Sequence, residues 1–242
     1  MNNNMFEYIA PINFSIPYEV IERLDSYMYI GPTIRPQIAR QVEKLIHQSN
    51  QEELSFPITL VSTKESVKIT QEVFRELKEI NLKILKESGL TTPAVYNKIE
   101  IIGELKQLII QHIPKILHKF NPTPVIQTIE GQGMVPHTDF MRTCSLFFLL
   151  SNPENWSTEW YESKKDIDVQ TKKYGFIWPF VNFEDIELKK TYQIEKNKWY
   201  VFDNHTYHAV KYNGDHAVRR AFQIEFSSIT AEGLFNLLNE KD

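Results

Sequence analysis

An α+β fold is predicted by a change of pattern partway along the chain. Between Pro17 and Phe120 the apolar residues recur mostly three and four apart, which is helical spacing. Beyond Pro122 and Pro124 short runs of β-branched and aromatic residues alternate with turn residues, the mark of an all-β barrel or sandwich. An aromatic content of 12% suits such a core, with ring-lined pockets.

The N-terminal half divides as follows. Residues 5–16 alternate loosely through Met5, Tyr8, Ile12, Phe14 and Ile16 and read as a short strand or extended lead-in. Pro17 suits a first helical turn, and Val20, Ile21, Leu24, Tyr27 and Met28 carry a helix to about Tyr29. Gly31-Pro32 and Arg35-Pro36 break the chain. A helix is expected over 37–48 and a strand over 56–63. Thr70 to Ser88 is the clearest helix, with Val73, Phe74, Leu77, Ile80 and Ile84 in its apolar set and Gly89 as its stop. Asn97 to Phe120 is expected to be helical too, kinked or divided at Pro114.

The C-terminal half is expected to hold strands over 125–130, 143–150, 157–162, 174–178, 188–195, 198–203, 207–212 and 219–227. A short helix over 230–238 follows them. Gly131 and Gly133 mark a tight turn; no helix pattern follows, so they do not form a phosphate loop. The helices have apolar faces that need a partner and no linker separates them from the strands, so 1–242 is expected to be one domain.

Composition bounds the function. The 242 residues carry a net charge of −4 with Lys and Arg scattered, which argues against a nucleic-acid binder. The one cysteine, Cys144, cannot form an intrachain disulfide and reads as a small core residue. That fits a reducing, cytoplasmic location. The first residues show no basic or long apolar segment of a signal peptide. The longest apolar run, Leu146–Leu150, is far short of the ~20 residues that a membrane span needs.

Chemistry concentrates in two stretches. His137-Thr138-Asp139 follows the Gly131-x-Gly133 turn and precedes the run from Cys144 to Leu150. Phe202-Asp203-Asn204-His205-Thr206-Tyr207-His208-Ala209-Val210 answers it later in the chain. Two His and one carboxylate are the protein ligands of the facial triad that holds iron(II) and leaves positions open. His205 and His208 are three apart and face opposite ways on a strand, so either could be the second histidine. Eleven residues after His208 (219 − 208) comes Arg219, followed by Arg220. An arginine is suited to gripping a carboxylate with two parallel hydrogen bonds. Arg219 shares its strand face with Ala221, Gln223 and Glu225, and Arg220 shares its own with Phe222, Ile224 and Phe226. The polar face belongs at a cavity, which favours Arg219 and leaves Arg220 as second choice.

This ordered set resembles the 2-oxoglutarate and iron(II)-dependent dioxygenases over roughly residues 123–229. The wording Phe202-Asp203-Asn204-x-x-x-His208, with Asn213-Gly214-Asp215 before the arginine, looks most like the aspartyl/asparaginyl (or prolyl) hydroxylase-like branch. The resemblance implies a double-stranded β-helix, the jelly-roll or cupin-like barrel, over 123–229. The helices of 1–122 would pack on one sheet as a support region, with 230–242 as a C-terminal helix. It implies His137, Asp139 and His208 as iron(II) ligands, Arg219 as the partner of the distal carboxylate of 2-oxoglutarate, and O2 as co-reactant. Hydroxylation of an amino-acid side chain, peptide or small molecule is the implied reaction, with decarboxylation of 2-oxoglutarate to succinate. Halogenating relatives replace the carboxylate with a small residue; Asp139 is retained here. Gln127, Thr143, Ser145 and Thr158 to Tyr161 are lesser candidates for cavity contacts. Two other readings stand beside this one: a non-catalytic cupin-like ligand-binding barrel, and a 2-oxoglutarate-independent metal hydrolase or isomerase.

Overall fold

The strands that follow Pro122 build two antiparallel sheets that face each other. They are seen in a computed structural model that describes residues 6–25, 95–139, 142–151, 154–164, 181 and 183–239, with 79, 83 and 86–89 between them. The elements expected at 37–48, 56–63 and 174–178 lie outside the described residues. Within the helix expected over 70–88, the described positions 79, 83 and 86–88 are helical, and Gly89 (φ 71°) ends them.

The elements in order are β1 (Ile9–Ile12), α1 (Tyr18–Asp25), β2 (Val95–Glu100), α2 (Gly103–His112) and a 3-10 turn (Lys115–Phe120). Then come β3 (Thr123–Gly131), β4 (Gly133–His137), β5 (Cys144–Leu149) and β6 (Trp156–Ser163). A second 3-10 turn (Phe183–Asp185) leads to β7 (Ile186–Tyr192), β8 (Trp199–Asp203), β9 (Tyr207–Tyr212), β10 (Ala217–Phe226) and α3 (Ala231–Asn239).

The larger sheet runs β1-β8-β5-β10-β3-β2 and the smaller β4-β9-β6-β7. From β3 to β10 the chain changes sheet at every step except β6 to β7, so it winds around a shared interior. That order defines the double-stranded β-helix. β1 pairs with β8 and β2 with β3, so the N-terminal half adds a strand to each edge of the larger sheet as well as helices.

Side-chain alternation explains why the β5 run is apolar on both faces. Leu146 and Phe148 join Val20, Leu24, Leu105 and Ile109 in a core between the larger sheet and α1, α2 and α3. Phe147 and Leu149 point the other way and pack with Trp160, Tyr200 and Phe202 inside the barrel. On β10, Phe222, Ile224 and Phe226 face the helices. Each fully buried side chain of this kind contributes about 1.5–3 kcal/mol relative to exposure.

The single divided helix expected over Asn97–Phe120 is corrected. Residues 95–100 are strand β2, because the open edge of β3 offers them a hydrogen-bonded ladder. Helix begins only at Gly103, and Pro114 separates it from the 3-10 turn. β4 is a strand that the expected set lacked. Gly131 (φ 123°) and Gly133 (φ 130°) turn the chain between β3 and β4. A Cβ on Gly133 would lie 1.9 Å from the Val210 carbonyl oxygen, so the close approach of β4 to β9 requires glycine. α3 is capped by Thr230, whose Oγ1 accepts from Gly233 N at 3.1 Å. Among the described residues, no helix is long and apolar enough to cross a membrane.

Candidate metal centre

β4 and β9 pair so that His137 and His208 are Cα partners, after a bulge between Met134 and His137. The two rings lie 4.5 Å apart between centroids. Each ring is tied back by its own strand. His137 Nδ1 is 2.8 Å from Val135 O, and His208 Nδ1 is 2.9 Å from Thr206 O. A carbonyl oxygen only accepts, so each Nδ1 carries the proton and each Nε2 is the nitrogen with a lone pair to offer.

Asp139 sits in the loop after β4. Its backbone N donates to Asn204 O at 2.9 Å, which joins that loop to the β8–β9 turn. Its Oδ2 is 3.5 Å from His208 Nε2. The ligand atoms of His137, Asp139 and His208 all lie within 4.8 Å of one another, an arrangement that could hold one ion.

The electrostatics prepare the three groups as donors. Burial, with His137 alongside, pulls the His208 imidazole down to about 3, and burial lowers His137 as well. Burial alone would raise Asp139; Arg142 and then the two histidines outweigh it and hold the carboxyl well below the usual carboxylate range. At neutral pH the cluster is two neutral imidazoles and one carboxylate.

His137 and His208 themselves border a cavity of about 10 Å³, lined also by Gln127, Phe147, Arg219 and Gln223 among others. It has room for about one water. Arg219 is only 3% exposed. Its Nη2 donates to Thr158 Oγ1 at 3.3 Å, and its Cζ stands 5.2 Å from the centre of the Phe147 ring. Burial draws its pKa down to about 10. Among the described residues no carboxylate pairs with it. Arg220 leaves by the opposite face, where its guanidinium donates to Leu24 O at 3.2 Å.

The other sequence candidates separate cleanly. His205 is exposed in the turn before β9, where its backbone N donates to Asp203 Oδ1 at 2.8 Å. Gln127 lines the cavity and accepts from Gln223 Nε2 at 2.6 Å. Ser145 is buried with its hydroxyl unpartnered among the described residues. The Thr143 hydroxyl donates instead to Phe226 O and Ile229 O. Thr158 meets Arg219, whereas Glu159 takes up Tyr161 and Lys211. Cys144 is fully buried and its thiol is pushed up to about 12 by burial, which leaves it inert as a nucleophile. A larger hollow of about 690 Å³, lined by Tyr8, Thr143, Asp203 and His205 among others, lies apart from the three clustered residues.

Arg142 was not named from the sequence at all, and Asn204 was quoted there without a role at the site. Arg142, 4% exposed, places Nη2 2.7 Å from Asp139 Oδ2 and Nη1 2.9 Å from Gln223 Oε1. It also pairs with Glu225, which in turn meets Lys98 Nζ at 2.7 Å. Asn204 donates from Nδ2 to Asp139 Oδ2 at 2.9 Å. A lone cation three residues after His-x-Asp, just before an apolar strand, was the available signal for Arg142.

No family model and no curated protein matches this chain. Solved structures do match it. Vicilin from Capsicum annuum is 10% identical over 66% of this chain, with a TM-score of 0.32, and the match takes in only 40% of the vicilin chain. The non-heme alpha ketoglutarate dependent carbocyclase SnoK from nogalamycin biosynthesis is 10% identical, over 65% of this chain and 76% of its own, at a TM-score of 0.33. The epimerase SnoN, non-heme and alpha ketoglutarate dependent and from the same biosynthesis, is 12% identical, over 78% and 84%, at 0.39. These likenesses are too distant to speak for function. By its own strand order the chain is a double-stranded β-helix protein, and it carries a His-Asp-His cluster at one end of the smaller sheet.

Proposed function

We propose that the chain is an iron(II)- and 2-oxoglutarate-dependent oxygenase that hydroxylates an amino-acid side chain, a peptide or a small molecule. One observation carries this reading. Arg219 is a buried cation without a carboxylate partner among the described residues, and it lines the same cavity as His137 and His208. A buried charge is costly unless paired, so the site calls for an anion.

The residues fit the metal. Two imidazoles with Nδ1 tied back and an ionised carboxylate form a nitrogen and oxygen donor set suited to iron(II). Iron(II), when bound, would supply oxygen activation coupled to decarboxylation of 2-oxoglutarate. His137, Asp139 and His208 would hold it from one side. Arg219 and the Thr158 hydroxyl would grip and orient the distal carboxylate of 2-oxoglutarate. Phe147, Phe202 and Val210, which also line the cavity, would keep bulk water out. The hydroxylase-like branch is supported by the wording from Phe202 to Val210. A substrate other than nucleic acid is supported by the net charge of −4.

A second reading has its own support. The cavity of about 10 Å³ holds about one water and not a five-carbon diacid, so 2-oxoglutarate has to displace side chains to enter. A metal hydrolase or isomerase that activates one water needs no such movement. Turnover separates the two readings. The oxygenase forms succinate from 2-oxoglutarate only with iron(II) and oxygen, and the double variant His137→Ala, Asp139→Ala abolishes it. Succinate formation at the wild-type rate in that variant would sink the site assignment.

A further inference from the structure

Asp139 is the one member of the cluster that no strand holds; it lies in the loop after β4. Something else has to set its carboxylate. Its Oδ2 receives two N–H donors, Arg142 Nη2 at 2.7 Å and Asn204 Nδ2 at 2.9 Å. Arg142 is itself pinned. Gln223 accepts from Nη1 at 2.9 Å, Glu225 pairs with the same nitrogen, and the Arg142 backbone N donates to Asp139 O at 3.2 Å. Glu225 is paired in turn with Lys98 on edge strand β2. A chain of ion pairs thus runs from β2 through β10 to the loop that carries Asp139. Asn204 is 1% exposed, and because a carboxylate can only accept, its amide must turn the NH2 toward Asp139.

We propose that Arg142 and Asn204 are positioning residues, which fix Asp139 in the one orientation in which it can meet the ion. This rests on the metal-centre reading above. Loss of a group that orients a metal ligand typically costs about 10- to 100-fold in metal affinity. The arrangement has a further consequence. If the Asp139 side chain is removed, Arg142 and Asn204 remain as two N–H donors around the vacated space, which becomes a recess for a small carboxylate. Formate would take the place of the missing group and complete the donor set.

The test uses Co(II) alone as the probe, read by its visible ligand-field spectrum in the full-length protein. Arg142→Gln and Asn204→Ala are each expected to weaken Co(II) binding about 10- to 100-fold. Glu225→Gln, a milder change, is expected to weaken it less while the fold is kept. Asp139→Ala should bind Co(II) poorly and recover with added formate. Asp139→Ala with Arg142→Gln should not recover, and neither should Asp139→Ala with Asn204→Ala, which serves if the arginine variant fails to fold. A purely structural role would lower thermal stability and leave the formate response intact. The proposal is overturned by wild-type Co(II) affinity in Arg142→Gln, by equal rescue with and without the donors, or by no rescue in Asp139→Ala. If the wild-type protein binds no Co(II), the metal centre itself is refuted and the proposal goes with it.

Discussion

His137 and His208 are register partners across β4 and β9, and their ring centroids lie 4.5 Å apart. Strand pairing, and not a flexible loop, therefore sets the distance between the two imidazoles. The lone pairs they present are fixed by the carbonyls of Val135 and Thr206. An ion that binds them must stabilise the fold. At a metal concentration of 100 Kd the gain is about 2.7 kcal/mol. Thermal melts with Mn(II) or Co(II) should show an upward shift in the wild type and none in His208→Ala.

The two adjacent arginines have separable roles. Arg219→Ala is expected to weaken 2-oxoglutarate binding to the metal-loaded protein at least tenfold, because the buried cation facing the cavity is lost. Arg220→Ala should leave that binding unchanged and cost about 1 kcal/mol of stability, as the bond to Leu24 O disappears. Anaerobic calorimetry on the metal-loaded variants, paired with urea melts, checks both halves.

Acid should destabilise the metal-free protein in a defined window. The His208 imidazole ordinarily titrates at 6.5, and in the fold burial takes it to about 3. Between those values the unfolded chain binds more protons than the folded one, so stability falls as pH falls through the window. His137 is lowered by burial too and acts in the same direction. Asp139, held low by Arg142 and the histidines against its burial, adds to the loss at the acid end. The melting temperature of the apo-protein should drop between pH 7 and pH 4, with a shallower slope in His208→Gln. An equal slope in that variant would show that the histidine is not buried neutral.

Gly133 ties the fold to the site. An added Cβ would meet the Val210 carbonyl oxygen at 1.9 Å, on a backbone with φ of 130°. Gly133→Ala should cost roughly 2–5 kcal/mol, from backbone strain plus an overpacked contact. Because β4 carries His137, metal affinity should fall with it. A variant with wild-type stability would mean that β4 and β9 do not approach as described.

Much of this was readable along the chain, and for physical reasons. The split of β10 into Phe222, Ile224 and Phe226 on one side and Ala221, Gln223 and Glu225 on the other follows from strand alternation, and it places Arg219 and Arg220 on different faces. The grouping of His137, Asp139 and His208 was foreshadowed by their order and wording. What stayed hidden depends on pairing between distant segments. Arg142 meets Glu225 across 83 residues, and Lys98 meets Glu225 across 127. Neither contact leaves a local pattern. β2 looked helical because its apolar spacing continues into α2, and only the edge of β3 decides otherwise. β4 is five residues long and contains Pro136, too short and irregular to show alternation. The size of the cavity depends on how Gln127, Gln223 and Arg219 pack together, which no periodicity records.

The central claim is that His137, Asp139 and His208 hold iron(II) within reach of a 2-oxoglutarate anchored by Arg219. Anaerobic titration of the apo-protein with iron(II) and 2-oxoglutarate tests it most directly, through the weak visible charge-transfer band of the bidentate complex. The band should appear in the wild type and be absent in His208→Ala, and Arg219→Ala should need far more 2-oxoglutarate to form it. If iron binds to the wild type and no band forms at any 2-oxoglutarate concentration, the oxygenase reading is contradicted and the water-activating reading takes its place.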